Sequence, residues 1–181
     1  MAGPASHDSL ALPAFDAPVK LLIVVAPYYR DIADALIAGA TATATRAGAA
    51  CETVEVPGAL EIPAAIALAR QHANFDGFVA LGCVIRGETT HYETVCNDSS
   101  RGLMLLGLQG AAIGNGILTV ETRAQAVVRA DPEGQDKGGG AAAAALHLVA
   151  LARRWGRPKG SVGFRPAAEE FRIAGQGPER A

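Results

Sequence analysis

Lys20-Leu-Leu-Ile-Val-Val-Ala26 is the stretch from which the fold is read. After Lys20 the run is apolar without alternation. A strand with one wet face alternates polar and apolar residues, whereas a strand covered on both faces does not. The run therefore predicts a buried strand in a parallel sheet with helices on either side. Working outward, Asp31 to Ala47 sets Ile32, Ala35, Leu36 and Ala40 at helical spacing. Cys51 to Val56 reads as a second strand, stopped by Pro57-Gly58. Glu61 to Ala73 reads as a second helix, with Pro63 tolerated in its first turn. Gly77 to Ile85 is a third strand, and a helix follows from Thr90 to about Leu108. Ile113 to Val120 is a fourth strand, Ala124 to Arg129 a short helix, and Ala141 to Trp155 a last long helix. Strands and helices alternate over short connections. The expected class is α/β: a three-layer α/β/α sandwich around a four-stranded parallel sheet.

The chain divides into three parts. Residues 1–18 form an arm with a strand-like patch from Leu10 to Phe15. Residues 19–155 form the domain. Residues 156–181 are rich in Gly, Pro and Arg and read as a basic, disordered tail.

The chain has 181 residues, enough for one domain with a substantial core. Half of it is hydrophobic and 19% is charged, which excludes a disordered chain. A net charge of −2 argues against a nucleic-acid partner. Nine aromatic residues against 38 alanines point to small-residue packing of helices on a sheet. Cys51, Cys83 and Cys96 are odd in number and form no C-x-x-C pair. That speaks against a zinc ribbon and fits a reducing compartment. The first 18 residues show no basic segment followed by an apolar core, so no secretory signal is expected. The longest apolar stretch, Ala141 to Ala152, is interrupted by His147 and too short to span a bilayer. The expected setting is the cytoplasm, without membrane contact.

In open parallel sheets, ligands bind beyond the carboxyl ends of the strands. That rule picks out Pro27 to Arg30, Pro57 to Glu61, Arg86 to His91, and the stretch holding Arg129 and Lys137, all read as lying on one edge. Thr90-His-Tyr-Glu93 has the spacing of a capping box, with Thr90 as N-cap and His91 in the first helical turn. The free N–H groups there would suit an anion, and an imidazole beside them can accept and return protons. The plainer alternative is a surface histidine at a helix start. Arg129 and Lys137 are candidate phosphate ligands or merely solvated bases. Glu61 could serve a ligand or the helix dipole, and Tyr28 or Tyr29 could stack on a planar ring or on the sheet edge. Cys83 ends a buried strand and is by default a small hydrophobe. Gly138-Gly-Gly140-Ala-Ala-Ala143 matches a dinucleotide fingerprint in letters, but no strand precedes it, so it is rejected. His7, His72 and His147 have no carboxylate spacing that points to a metal.

Together these motifs resemble the lumazine synthase family. The resemblance rests on Val56-Pro-Gly-Ala-Leu-Glu-Ile-Pro63, on Leu81-Gly-Cys-Val-Ile-Arg-Gly-Glu-Thr-Thr-His-Tyr-Glu93, on Gly116-Ile-Leu-Thr-Val-Glu121 with Gln125-Ala126 and Arg129-Ala130, and on Lys137-Gly138. It covers roughly residues 19–155. It implies condensation of 5-amino-6-(D-ribitylamino)uracil with 3,4-dihydroxy-2-butanone 4-phosphate to 6,7-dimethyl-8-ribityllumazine, phosphate and water, the penultimate step of riboflavin biosynthesis. It implies no metal and no organic cofactor. His91 matches the proton-transfer residue. Glu88, Thr89, Arg129 and Lys137 match the phosphate site. Tyr28 matches the ring-stacking position, usually Phe or Trp. Ala59, Leu60, Glu61, Cys83, Val84 and Ile85 match the segments holding the pyrimidine and its ribityl chain. Asn115 stands where many members carry an apolar or aromatic residue, and is expected to contact substrate from a neighbouring subunit because it sits at the other end of its strand. The resemblance further implies a homo-oligomer: a cyclic pentamer whose N-terminal arm adds a strand to a neighbour's sheet, in some members a 60-subunit shell, and in some an association with riboflavin synthase. Two other functions fit less well. An archaeal-type riboflavin synthase is disfavoured by the intact Gly87-Glu-Thr-Thr-His91 segment. A catalytically weak flavin- or lumazine-binding shell protein is disfavoured by the presence of His91, Arg129 and Lys137.

Overall fold

Strand β1, Val19–Val25, is buried at every position except Lys20. The computed structural model describes residues 10–156. After β1 come α1 (Arg30–Arg46), β2 (Ala49–Glu55), α2 (Glu61–His72), β3 (Gly77–Ile85), α3 (His91–Leu108), β4 (Ile113–Val120), α4 (Arg123–Ala130) and α5 (Lys137–Gly156). The sheet is all parallel, in the order β2-β1-β3-β4. Each crossover is a helix, as parallel pairing requires.

Alternation along β1 feeds two cores. Val19, Leu21, Ile23 and Val25 join Val79 and Leu81 in a cluster closed by α1, α4 and α5. Leu22, Val24 and Ala26 join Phe78 and Ala80 in a second cluster, closed by Ile62 and Ile66 of α2 and Leu103 of α3. The result is three layers with the sheet in the middle. The small residues find their use in the first of these. A Cβ on Gly138 would stand 2.1 Å from the Leu36 carbonyl oxygen, and one on Gly114 would stand 1.8 Å from that of Ala141. Only glycine lets α5 lie this close to α1 and β4.

Beyond one-residue shifts at the ends of several elements, the structure differs from the sequence expectations in the following places. β2 begins at Ala49 rather than Cys51 and ends at Glu55. Its first two residues are alanines, which carry no strand signal of their own and are recruited by pairing with Val19 and Lys20. α5 begins at Lys137, four residues before Ala141, because packing holds Gly138 and Gly139 in a helix they do not favour. Its last residue is Gly156 rather than Trp155. Residues 157–181 and the first nine lie outside the described part. No strand forms over Leu10 to Phe15, which pairs with neither free edge of the sheet. Leu12 and Phe15 pack instead against the first core, and Arg153 donates to the carbonyls of Ala17 and Pro18 at 2.9 and 2.6 Å. The capping box at Thr90 is not formed, for a reason that belongs to the site.

Candidate active site

The carboxyl ends of β1 and β3, the start of α2 and the start of α3 enclose a recess of about 570 Å³. Backbone bonds fix its floor. Ala26 N–H donates to the Leu81 carbonyl at 2.9 Å, and Val56 N–H to that of Val25 at 2.9 Å. Tyr28, Ala59, Leu60, Glu61, Cys83, Val84, Ile85, Thr89 and His91 all line it. Glu88 belongs to the same loop but does not line the recess.

Tyr28 offers a ring that is 77% exposed. Tyr29 meets it edge-on, with centroids 5.0 Å apart, and the Arg123 guanidinium lies 5.9 Å over Tyr29. Arg123 in turn donates to Asp31 at 2.6 Å, tying α4 to α1 beside Tyr29. Burial pushes the Cys83 thiol up to about 11, against a smaller opposing pull from Arg123. Cys83 is thus a protonated, small apolar wall at neutral pH, not a nucleophile.

At the start of α3, Thr90 makes no side-chain capping bond and has helical backbone angles. Its expected partner Glu93 is taken by Arg86 across the loop. The Thr89 hydroxyl instead accepts from His91 N–H at a long 3.4 Å. The capping spacing that does form lies elsewhere. At α4 the Thr122 hydroxyl accepts from Gln125 N–H at 3.3 Å, and the Gln125 side chain accepts from Glu121 N–H at 2.9 Å. Sequence reasoning passed over Tyr92 and Val95, which also line the recess. Val95 follows His91 by four residues, so helical periodicity alone would have found it.

Asn115, Arg129 and Lys137 are not in this recess. They line a second one of about 330 Å³ along the free edge of β4, with Gly140, Ala141 and Ala144 of α5. The two recesses share no lining residue. The expectation that Arg129 and Lys137 join His91 on one edge is therefore corrected for a single chain. α4 ends beside β4, and α5 folds back along it, so both cations are carried to the flank of the sheet. The Asn115 side-chain oxygen accepts from Ile117 N–H at 3.0 Å, which orients its amide nitrogen as the outward donor. One Arg129 nitrogen donates to the Gln125 carbonyl at 3.0 Å.

The family model described as 6,7-dimethyl-8-ribityllumazine synthase matches residues 18–153. The chain belongs to the 6,7-dimethyl-8-ribityllumazine synthase family. A relative of that name from Jannaschia sp. (strain CCS1) is 59% identical over 166 residues, 92% of this chain and 93% of its own length. One from Novosphingobium aromaticivorans is 60% identical over 136 residues, 75% of this chain and 98% of its own. One from Methylobacterium radiotolerans is 54% identical over 138 residues, 76% of this chain and 84% of its own. Membership makes the chain a transferase of the lumazine-forming condensation in riboflavin biosynthesis, and favours that reading over riboflavin synthase or a non-catalytic shell. Among the described residues no helix is long and apolar enough to cross a membrane.

Proposed function

We propose that the lumazine synthase reaction takes place where the first recess of one chain meets the second recess of another. The observation that carries this is the separation itself. One chain presents the stacking ring, the helix start and His91 in one recess, and Arg129, Lys137 and Asn115 in another with no residue in common. A phosphate-bearing substrate whose reaction needs both sets must be held between two chains.

In this reading the pyrimidine lies on Tyr28, with its edges and ribityl chain held by the segments Ala59 to Glu61 and Cys83 to Ile85. The butanone phosphate is held by the start of α3 through Thr89, with Glu88 beside it, and by Arg129 and Lys137 of the neighbouring chain. A helix start and a guanidinium act on the same dianion from two sides. The amine of the pyrimidine adds to the ketone, and loss of a first water gives the imine. Phosphate then leaves, and ring closure releases a second water. Each step moves protons between nitrogen, carbon and oxygen, and His91 at the recess wall accepts and returns them. Asn115 contributes its amide donor to the pyrimidine side from the neighbour. The assembly is a homo-oligomer, read as a pentamer, or a 60-subunit shell where pentamers close on one another, in which riboflavin synthase can be enclosed. The setting is the cytoplasm, consistent with three unpaired thiols.

The test mixes purified protein with both substrates and follows lumazine fluorescence and phosphate release. Product and phosphate should appear together, in equal amounts. No phosphate release above the uncatalysed background would sink the enzymatic reading. Sedimentation of the same sample addresses the shared site: a monomer at micromolar concentration with full activity would overturn it.

A further inference from the structure

The loop from β3 to α3 contains residues that face the recess and residues that face each other. Thr89, His91 and Tyr92 line the recess, whereas Arg86 and Glu93 do not. Arg86 is nevertheless the most connected side chain of the loop. Its N–H donates to the Val120 carbonyl at 2.9 Å, which seats it at the last rung between β3 and β4. Its Nε donates to Glu121 at 2.7 Å, just past the end of β4. One terminal nitrogen donates to Glu93, in the first turn of α3. The guanidinium plane lies 4.1 Å from the centroid of the Tyr92 ring. One planar group thus joins a strand end, a neighbouring strand end and a helix start, and braces a ring of the recess wall.

The loop between these anchors has little of its own to hold it. Residues 87–91 are exposed, and a Cβ on Gly87 would meet nothing within 4 Å. Its bonds are long: 3.4 Å from His91 N–H to the Thr89 hydroxyl and 3.3 Å from Thr94 N–H to the Thr90 carbonyl. The path of the loop is set from its ends. Arg86 is also badly suited to be a phosphate ligand itself. A guanidinium shared by two carboxylates leaves the trio at net −1, the wrong sign for a phosphate, and Arg86 holds the Glu93 carboxyl below its usual range.

We propose that Arg86 is a positioning residue for the condensation: by bridging Glu121 and Glu93 it fixes the β3–α3 loop in the form that turns Thr89 and His91 into the recess. The inference rests on the functional reading above. All three side chains are at least a third exposed, so their ion pairs add little to global stability. Their effect should show in local order and in turnover.

Arg86→Met, Glu93→Ala, Glu93→Gln and the double variant Arg86→Met/Glu93→Ala would be compared in the intact assembly. Amide exchange over 94–96, the first backbone-bonded amides of α3, should speed up by about tenfold or more in Arg86→Met, with β1 and α5 unchanged. Turnover should fall about tenfold to a hundredfold, with the pyrimidine Kd within about twofold and the melting temperature within about 3 °C. Glu93→Gln, which still accepts the bond, should retain most activity. The double variant should be no slower than the slower single, because both break one bridge. Unchanged exchange over 94–96 overturns the inference whether or not the protein turns over, and wild-type protein that forms no lumazine overturns only the functional reading. Arg86→Met that raises the phosphate KM alone, with Glu93→Ala lowering it, would make Arg86 a ligand and also overturn the inference. So would a collapse of melting temperature with loss of pyrimidine binding, which would make its role purely structural.

Discussion

Helices α3 and α5 both start beside glycines, and each sets its first residue against a recess: His91 the first, Lys137 the second. In other respects the two starts are opposites. Around α3, Gly87 borders open space and no side chain caps Thr90. At α5, Asp136 accepts from Gly139 N–H at 2.9 Å, and Gly138 is pressed against the backbone of Leu36. The start of α3 carries only the long bond from His91 N–H to Thr89, whereas that of α5 caps its Gly139 N–H and uses glycine to pack. A glycine next to a helix start therefore says nothing about anions until its space and its cap are known.

The comparison can be tested at four positions. The largest effect is expected at His91. His91→Ala should slow turnover by about a hundredfold to ten-thousandfold with little change in pyrimidine affinity. A large loss of binding instead would give the α3 start a structural role like that of α5. Next comes Gly138→Ala, whose Cβ meets backbone that cannot yield. Thermal or denaturant unfolding should show a loss of about 3 kcal/mol. A stable Gly138→Ala protein would break the packing account. Asp136→Ala removes the cap and leaves a non-glycine residue at φ 41°, for a cost of about 1–2 kcal/mol in the same assay. Asp136→Asn, which can cap and tolerates that angle, should recover most of it. Gly87→Ala should be the mildest: no change in melting temperature, and at most about a threefold rise in the KM of the phosphate substrate, as expected for a small group at an open loop. A destabilised Gly87→Ala would mean the two starts are built alike.

Much of the fold was legible because buried strands declare themselves. Gly77–Ile85 is read to the residue from its apolar run, and Ile113–Val120 matches as well, although Gly114 to Gly116 interrupt its apolar residues. The start of α5 was not legible, because Gly138 to Gly140 oppose a helix locally, and Gly138 and Gly139 are overruled by contact with α1, more than ninety residues away in sequence. The capping box failed for the same kind of reason. Thr90 and Glu93 have the right spacing, but Glu93 answers to Arg86 across the loop, which spacing alone cannot reveal. For the candidate site, the rule of strand ends located the segments around Tyr28, Ala59, Cys83 and His91. It did not tell where Arg129 and Lys137 would lie, because that depends on how α4 and α5 fold back along the edge of β4.

The separation of the two recesses has a consequence for heredity. If one reaction uses a recess from each of two chains, a lesion is felt partly at the neighbour's site. Chains lacking His91 and chains lacking Arg129 are then different alleles of one function. Co-assembled at random, they would restore both halves at about a quarter of the junctions, where one intact recess of each kind meets the other.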